Sequence, residues 1–499
     1  MTLSRDPSRP SLTTQAFWLL AAKTAGFFFA LVFPLFLVRL LDQSKYGTYK
    51  QMFLLIGTAQ ALLGLGFGLS AFYFFPREPE RRGAVSLNIV LFQVTIGTLA
   101  ALMLSLWPNC LALLFANKEL AQYAPKIGIV ILLRMASSFL ETVATAQEDV
   151  KRSTIFIVAA QFTKSVVMLS ALFFAGSLSA LLYGSMFQGV LQTAVLAWYL
   201  DRSFPGFWKR IDWPLFRTQL AYALPLGMAG VLYFFRTEAH NYFVAHSVGA
   251  AAFAIYAVGC ADIPLVALVR ESVATVLIRR ISELHQVGSY RDVLLLTIRA
   301  MRKLSVFYWP LYAYLLVMSR EFIRLLYTRR YDASVPIFAI NITLIPLTIL
   351  VLDPILRAFS EYLYFLVWLQ VFLLLVMGVA LLIVIPAYGP VGAILVVVVS
   401  SAIELGAITW KVARVLKMSL GDLRLASGIF KLGLSAAAAG VVASLVRRTV
   451  IGYHPAIILA ICGCAFLPVY AACAYFSRAV PQEEVQELVK LGKRVLRLA

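Results

Sequence analysis

Charged residues are scarce in this chain. Only 14% of its 499 residues are Asp, Glu, Lys or Arg, whereas soluble globular domains have about 25%. Hydrophobic residues make up 61%, and the mean hydropathy is +0.84. A water-soluble core cannot hide this much apolar surface, but a lipid bilayer can. The composition therefore excludes an ordinary soluble domain and predicts an integral membrane protein.

Motifs of several enzyme and metal-site classes are also missing. The five cysteines form no CxxC pair, and there are only four histidines. The sequence contains neither HExxH nor the phosphate-binding loop Gly-x-x-x-x-Gly-Lys followed by Ser or Thr. These absences argue against a Cys/His metal site and against ATP hydrolysis by this chain. We therefore predict no enzymatic activity, no metal and no bound cofactor.

Basic residues outnumber acidic ones by 44 to 24, which gives a formal net charge of +20. In a soluble protein such an excess would suggest a nucleic-acid partner. Here the basic residues lie mainly between apolar runs, where the positive-inside rule places cytoplasmic loops. We therefore interpret the charge as a signal of membrane topology and predict no nucleic-acid partner.

Long apolar runs make up most of the chain. A helix needs about 20 apolar residues to cross about 30 Å of hydrocarbon. About fourteen such runs are predicted to span the membrane: Thr14–Val38, Lys50–Phe75, Ala84–Leu106, Tyr123–Ala146, Thr154–Phe174, Ser179–Leu200, Gln219–Val244, Ala250–Ile278, Leu304–Leu326, Ala333–Leu356, Tyr362–Ile385, Pro390–Trp410, Phe430–Val446 and Pro455–Phe476. Two amphipathic helices, Arg279–Lys303 and Pro481–Leu498, are predicted to lie along the cytoplasmic face.

Basic residues also set the orientation. If the N-terminus is cytoplasmic, the cytoplasmic loops collect most of the Lys and Arg, which favours both termini inside. The exception is a group of four arginines that this topology places outside: Arg320, Arg324, Arg329 and Arg330.

The second half of the chain repeats features of the first after roughly 210 residues. Leu113–Phe115 matches Leu325–Tyr327, and Glu141 matches Asp353 at the same offset. An even number of spans separates the copies, as in transporters built from parallel repeats. The predicted organisation is a six-helix lobe at 1–200, a cytoplasmic linker at 201–218, a second six-helix lobe at 219–412, an appended helix pair at 413–477 and an amphipathic tail at 478–499.

Charged or titratable residues also fall inside the predicted spans, where a charge is costly unless it faces a cavity or a partner. They are Lys23, Arg134, Glu141, Lys164, Arg236, Glu238, His240, Asp262, Arg270, Glu271, Asp353 and Glu404. Structural ion pairs and a polar transport pathway both account for such charges. Their number favours a pathway through the membrane over a purely structural protein.

The seventh predicted span has the densest group of these residues. Arg236 and His240 are four residues apart and share a helix face, so together they could grip an anion. Glu238 lies about 200° round the helix from Arg236 and faces the same cavity only if the helix is irregular. Pro225 and Gly227 permit such a break. An anchor cluster at the membrane interface is the alternative interpretation.

Short motifs occur in a fixed order along most of the chain. They are Phe33-Pro34, Val38–Leu41, Lys45–Tyr49, Gly64–Gly66, Ser70–Arg77, Ala223–Pro225, Gly249, Tyr256-Ala257, Leu325–Tyr327 and Tyr331–Ala333. In this order they resemble the Wzx-type polysaccharide (O-antigen and exopolysaccharide) flippases of the multidrug/oligosaccharidyl-lipid/polysaccharide (MOP) exporter superfamily.

The resemblance implies an all-α integral membrane fold with two six-helix lobes around a central cavity and two extra C-terminal helices. It also implies a transporter that flips an undecaprenyl-diphosphate-linked oligosaccharide across the bacterial inner membrane by alternating access, for O-antigen, capsule or exopolysaccharide synthesis. Both termini are then cytoplasmic. The implied partners are the lipid-linked oligosaccharide, membrane lipids and, within the pathway, a polysaccharide polymerase and glycosyltransferases, with the chain itself a monomer.

Arginine suits the diphosphate because a guanidinium donates two hydrogen bonds to paired oxygens. The candidates for the diphosphate and glycan are Arg236, Arg270, Lys23 and His240. The candidates for coupling to Na⁺ or H⁺ are Glu238, Asp262, Glu141 and Asp353.

Alternatives within and outside the superfamily remain open. The lipid II flippase branch has a basic residue shortly before the acidic-x-Pro of the eighth span, where this chain has Gly259 before Asp262 and Pro264. A cation-coupled multidrug exporter usually has twelve spans. A membrane polymerase or ligase typically has a large loop outside, and the span model leaves only short ones.

Overall fold

The computed structural model describes residues 33–209 and 211–479. In these two stretches every regular element is helical and no β-strand occurs, which confirms the all-α class. Three features of the sequence analysis lie outside the described residues. They are Lys23, most of the first predicted span and the predicted helix Pro481–Leu498.

The chain divides into two compact units, and the first is Met1–Ala254. Its described helices follow a helical stretch at 33–40 and are α1 (Gln43–Leu63), α2 (Ser70–Arg77), α3 (Arg82–Leu106), α4 (Asn109–Phe115), α5 (Glu119–Ser137), α6 (Phe139–Ala146), α7 (Val150–Ala175), α8 (Leu178–Ser203) and α9 (Trp213–Ser247). Short 3₁₀ turns lie at Phe67–Leu69, Pro79–Arg81 and Phe207–Lys209.

The second unit is Ile255–Ala499. Its helices, the first of which begins just before the boundary, are α10 (Gly249–Gly259), α11 (Pro264–Gln286), α12 (Tyr290–Val317), α13 (Ser319–Tyr327), α14 (Val335–Asn341), α15 (Leu344–Leu347), α16 (Asp353–Ala358), α17 (Leu363–Val415), α18 (Ser427–Thr449) and α19 (Pro455–Phe476). Short 3₁₀ turns lie at Arg329–Ser334, Ser360–Tyr362 and Leu420–Ala426.

Many of these helices are suited to a bilayer. Within the described residues, eight are long and apolar enough to cross a membrane, or ten if each bent pair counts as one span. The number is below fourteen partly because α17 contains two predicted spans. In addition, helices of only 7, 4 and 6 residues replace the predicted span Ala333–Leu356. A multi-pass membrane protein is confirmed, and the count of fourteen stays a prediction.

The eleventh and twelfth predicted spans form one helical hairpin, α17. Near its middle, between two prolines, Gly389 has φ 58° and ψ −149°, a conformation that glycine adopts far more readily than other residues. Gln370 Nε2 donates to Glu404 Oε1 at 2.7 Å, although the two residues are 34 positions apart. A straight helix would separate them by roughly 50 Å. The two arms of α17 therefore run antiparallel.

Two predicted spans are bent. Gln43–Leu63 and Phe67–Arg77 meet at 48°, and α10 and α11 meet at 53°. These are the second spans of the two predicted halves, so the bends occupy matching spans of the repeat. The two bends lie at different distances from the start of the span, because a helix of 21 residues precedes the first bend and a helix of 11 residues precedes the second.

The bend in the first unit is also a place where α9 closely approaches the backbone just after α1. Gly66 has φ 63°. A Cβ on Gly227 would lie 2.0 Å from the carbonyl oxygen of Leu65, so only a residue without a side chain fits there. The structure shows close approach, and the glycine on α9 makes it possible.

A buried polar network joins the start of α9 to the other helices of the first unit. Gln219 Nε2 donates to Ser70 Oγ at 3.3 Å, and Asn88 Nδ2 donates to Gln219 Oε1 at 2.8 Å. Asp212 caps α9 and pairs with Arg81. The seventh predicted span thus packs with α2 and α3. The predicted lobe boundaries are not tested by this packing and stay a prediction.

The prediction of one amphipathic helix at Arg279–Lys303 is wrong. α11 ends at Gln286 and α12 begins at Tyr290, with Gly288 between them at φ 74°. A residue at positive φ terminates a helix, and glycine takes this conformation at little cost. The basic segment is therefore the meeting point of two longer helices.

The appended helices α18 and α19 pack against α12 through small residues, as membrane helices commonly do. Three alanines of α18 are fully buried in this cluster. A Cβ on Gly433 would lie 3.1 Å from the Trp309 ring. At the far end of α18, Arg447 Nη2 lies 2.9 Å from Glu321 Oε1 of α13. Packing and an ion pair therefore hold these two helices against the rest of the second unit.

Candidate transport site

A polar cavity lies among the spanning helices of the first unit. Its volume is about 220 Å³. At about 30 Å³ per water molecule, it has room for one small polar group rather than a long chain. It is lined by Gln60, Arg134, Ser137, Ser138, Leu140, Glu141, Ala160, Gln161, Lys164, Gln188 and Gln192. All but the leucine and the alanine are polar.

Helical spacing explains why these side chains converge. Gln188 and Gln192 are four residues apart on α8, and Gln161 and Lys164 are three apart on α7. Residues with these spacings share one helix face. Gln60 reaches the same volume from α1. Four amides from three helices therefore surround one cavity.

The charged side chains of the lining are positive on balance. Arg134 and Lys164 contribute two positive charges, and Glu141 contributes one negative charge. The Arg134 guanidinium lies 5.6 Å from the centroid of the Phe53 ring, a cation–π contact that positions the cation without neutralising it. Charges within a membrane are expensive and typically face a water-filled cavity or a partner. This cavity therefore suits a polar, anionic occupant.

The amides provide both kinds of hydrogen-bonding group. Gln188 Nε2 donates to the carbonyl oxygen of Ala160 at 3.0 Å, and Ser137 Oγ lies 3.5 Å from Gln192 Oε1. A glutamine side chain has two N–H donors and a carbonyl acceptor. Sugar hydroxyls both donate and accept, so this lining is chemically complementary to part of a glycan.

The second unit holds a carboxylate at the matching position of the predicted repeat, but it is already paired. Arg270 Nη2 lies 3.2 Å from Asp353 Oδ1, and Arg357 Nη2 lies 3.1 Å from Asp353 Oδ2. The Asp353 side chain is 13% exposed and that of Arg270 is 41% exposed. The sequence analysis gave Arg270 to the diphosphate and Asp353 to ion coupling. The structure brings these two candidates together in an ion pair that joins α11 to α16.

The candidates on the seventh span lie on an unbroken helix. α9 continues through its proline and glycine without leaving the helical conformation, so no break brings Arg236 and Glu238 to one side. Glu238 Oε2 accepts a hydrogen bond from Asn241 Nδ2 at 2.7 Å. His240 is buried. None of the three candidates lines the cavity of the first unit.

The remaining candidate, Asp262, is exposed in the bend between α10 and α11. Among the described residues, no group of three or more His, Cys, Asp and Glu side chains is arranged to hold a metal ion.

The glutamines are the residues that the sequence analysis missed. Arg134 and Lys164 were singled out as charges within spans, but not as site residues, and Glu141 was considered only for ion coupling. The sequence did contain a signal for them. Amides and charges spaced three or four residues apart on predicted helices share a helix face and so indicate a polar face within the membrane.

Comparison with known proteins places the chain in a family. A family model described as "Polysaccharide biosynthesis protein" matches residues 36–336, about three fifths of the chain. The chain belongs to this family. A search of curated proteins finds no match.

Solved structures agree on the fold. The lipid II flippase MurJ in an inward closed conformation is similar with a TM-score of 0.69 and 14% identity, over 93% of this chain and 99% of that one. A MATE-family multidrug transporter of the MOP superfamily is similar in its inward-facing form, with a TM-score of 0.62 and 13% identity over 79% and 96% of the two chains. Its outward-facing form gives a TM-score of 0.57 and 15% identity over 82% and 96%. The fold expected from the resemblance to MOP-superfamily flippases is confirmed.

Proposed function

We propose that this protein flips an undecaprenyl-diphosphate-linked oligosaccharide across the bacterial inner membrane by alternating access, for surface polysaccharide synthesis. The observation that carries the proposal is the polar, positively charged cavity among the spanning helices of the first unit. A cavity of this volume can hold one polar part of a lipid-linked sugar, and the polyprenyl tail is compatible with the bilayer itself. The membership of a polysaccharide biosynthesis family supports this substrate class.

Arg134 and Lys164 are the residues that we propose for holding the anionic part of the cargo. Both face the cavity, and the glutamines beside them provide hydrogen bonds to hydroxyl groups. Arg270 is already paired with Asp353, so a diphosphate bound there would compete with this ion pair. Arg236, His240 and Lys23 remain candidates from the sequence.

Coupling to Na⁺ or H⁺ is assigned in this proposal to Glu141. A cation bound at this carboxylate would remove its negative charge and leave Arg134 and Lys164 uncompensated, which strengthens attraction for an anion. Ion binding and cargo binding would then favour each other. Glu238 and Asp262 stay as alternative coupling residues, whereas Asp353 is already neutralised by two arginines.

The test of the proposal is a deletion strain in which the lipid-linked repeat units and the surface polysaccharide are both measured. The expected result is loss of surface polymer with accumulation of lipid-linked units on the cytoplasmic side, restored by the wild-type chain. Normal surface polymer in the deletion strain would contradict the proposal. A multidrug exporter predicts instead a changed drug susceptibility with normal polymer.

Lipid II transport is the second candidate, because MurJ matches 93% of this chain. This alternative has its own test. The chain is expressed in a strain depleted of its lipid II flippase, and growth is followed. Rescue of growth favours lipid II as cargo, whereas lysis despite normal expression, together with a polysaccharide phenotype on deletion, favours the oligosaccharide.

A further inference from the structure

A strongly basic surface lies at one end of the second unit. We call it the arginine face, and it consists of Arg320, Arg324, Arg329, Arg330, Arg447 and Arg448. Two carboxylates, Asp332 and Glu321, pair with arginines of this face, and Asp332 contacts both Arg324 and Arg320. Arg320, Arg329, Arg330 and Arg448 are exposed.

The two carboxylates hold the arginine face together. Arg324 Nε donates to Asp332 Oδ1 at 2.8 Å, which ties α13 to the turn at Arg329–Ser334. Arg447 Nη2 lies 2.9 Å from Glu321 Oε1, which ties the end of α18 to the start of α13. The surface is therefore built by fixed contacts between three elements rather than by independent side chains.

Its position relative to the bilayer follows from α18 and α19. Both are candidate membrane spans, and only the residues between Thr449 and Pro455 join them. This short connection must lie at a membrane surface, and Arg447 and Arg448 are in the last turn of the span before it. Beside them, Ile451 and Tyr453 are 68% and 61% exposed. Exposed apolar and tyrosine side chains next to arginines are typical of the lipid headgroup region.

We propose that the arginine face binds the phosphate group of a lipid at the membrane surface. Guanidinium groups donate paired hydrogen bonds to phosphate oxygens. The neighbouring Ile451 and Tyr453 suit the glycerol and upper acyl region of a lipid better than a free anion in water. The predicted topology places this surface outside, where Lys and Arg are normally depleted, so a binding role accounts for arginines that the topology rule disfavours. Anionic phospholipid and a polyprenyl diphosphate share this chemistry.

Binding to the purified full-length chain in a neutral detergent tests the proposal. The probes are phosphatidylglycerol, farnesyl diphosphate, phosphatidylcholine and inorganic diphosphate, measured by native mass spectrometry. The triple variant R329Q/R330Q/R448Q is expected to lose at least about tenfold in affinity for the anionic lipids, since each arginine near an anionic lipid surface contributes roughly fivefold. A preference for phosphatidylglycerol identifies bulk lipid as the ligand, and a preference for farnesyl diphosphate identifies a polyprenyl lipid.

The matched control is R279Q/R280Q/K417Q, which removes the same charge from exposed positions outside the arginine face and should keep wild-type affinity. Equal affinity of the wild type for phosphatidylcholine and phosphatidylglycerol would overturn the proposal. Equal losses in the triple variant and in the control would also overturn it, because net charge alone would then explain binding. Inorganic diphosphate binding as tightly as the lipids would exclude the lipid component.

Discussion

Glu141 in the first unit and Asp353 in the second occupy matching positions of the predicted repeat, but their surroundings differ. Glu141 lines a cavity of about 220 Å³ together with Arg134 and Lys164. Asp353 lies between two guanidinium groups at 3.2 and 3.1 Å. In the first unit the charges line a cavity, and in the second an ion pair connects them.

The backbone differs in the same way. Glu141 is part of a nearly continuous run of 28 helical residues, Glu119–Ala146. Asp353 begins a helix of only six residues after an interrupted segment. The irregular segment places Asp353 where Arg270 and Arg357 both reach it. The two halves of the predicted repeat thus use a membrane carboxylate in two ways, as part of a cavity lining and as the centre of an ion-pair cluster. The residues around each carboxylate decide between them. We expect cavity variants to affect transport and ion-pair variants to affect stability.

The largest effect is expected for K164E. The substitution makes the charged lining negative on balance, and like charges placed together cost several kcal/mol, so transport of an anionic cargo should fall by about 100-fold or more. The measurement is restoration of surface polysaccharide in the deletion strain, normalised to protein in the membrane. K118E, which reverses an exposed charge of the same unit, is the control. Wild-type export by K164E would remove the cavity from the cargo pathway.

The ion pair in the second unit should respond differently. D353L leaves Arg270 and Arg357 without their carboxylate, and the free energy of unfolding should fall by about 2 kcal/mol because the site is only partly buried. It is measured by titration with a denaturing detergent. The exchange R270D/D353R keeps one charge of each sign and should recover part of the loss. A stable D353L that fails to transport would show that Asp353 acts on cargo or ion instead.

A smaller effect is expected for the cavity amides. Q188L and Q192L each remove a group that can hydrogen-bond a hydroxyl, and a hydrogen bond contributes about 1 kcal/mol. Each variant should therefore transport roughly fivefold more slowly, with protein levels near those of the wild type. Q370L, which removes an amide that hydrogen-bonds Glu404 in the hairpin of the second unit, serves as the comparison. If it slowed transport as much as the cavity variants, the amides of the first unit would have no special role.

The sequence predicted the features that depend on hydrophobicity and periodicity. The apolar runs, the all-α class and the antiparallel arms of α17 follow from run length and from the glycine and prolines between the runs. The contacts of the candidate site residues were harder to predict, because the partner of a residue often lies far along the chain. Arg270 and Asp353, for example, are 83 positions apart. In α9 the sequence suggested an irregularity that the structure does not have. A proline and a glycine permit a break, but α9 stays helical through both, and Gly227 instead allows close approach to Leu65.

The smallest effect is expected at a second ion pair of the second unit, in the turn Leu420–Ala426. Arg291 pairs with Asp422, which also accepts from the Ser419 backbone amide at 2.8 Å. These contacts lower the pKa of Asp422 from 3.8 to about 2. The folded-state pKa lies below the ordinary value, so the contribution to stability is complete above pH 3.8 and is lost as the pH falls through about 2.

Hydrogen exchange of the turn Leu420–Ala426, corrected for the intrinsic rate at each pH, measures this contribution. Protection should be constant above pH 4 and fall between pH 4 and 2, while D422N should be less protected above pH 4 and show no such transition. A transition of the same size in D422N would show that the contacts of Asp422 are not the source of the pH dependence.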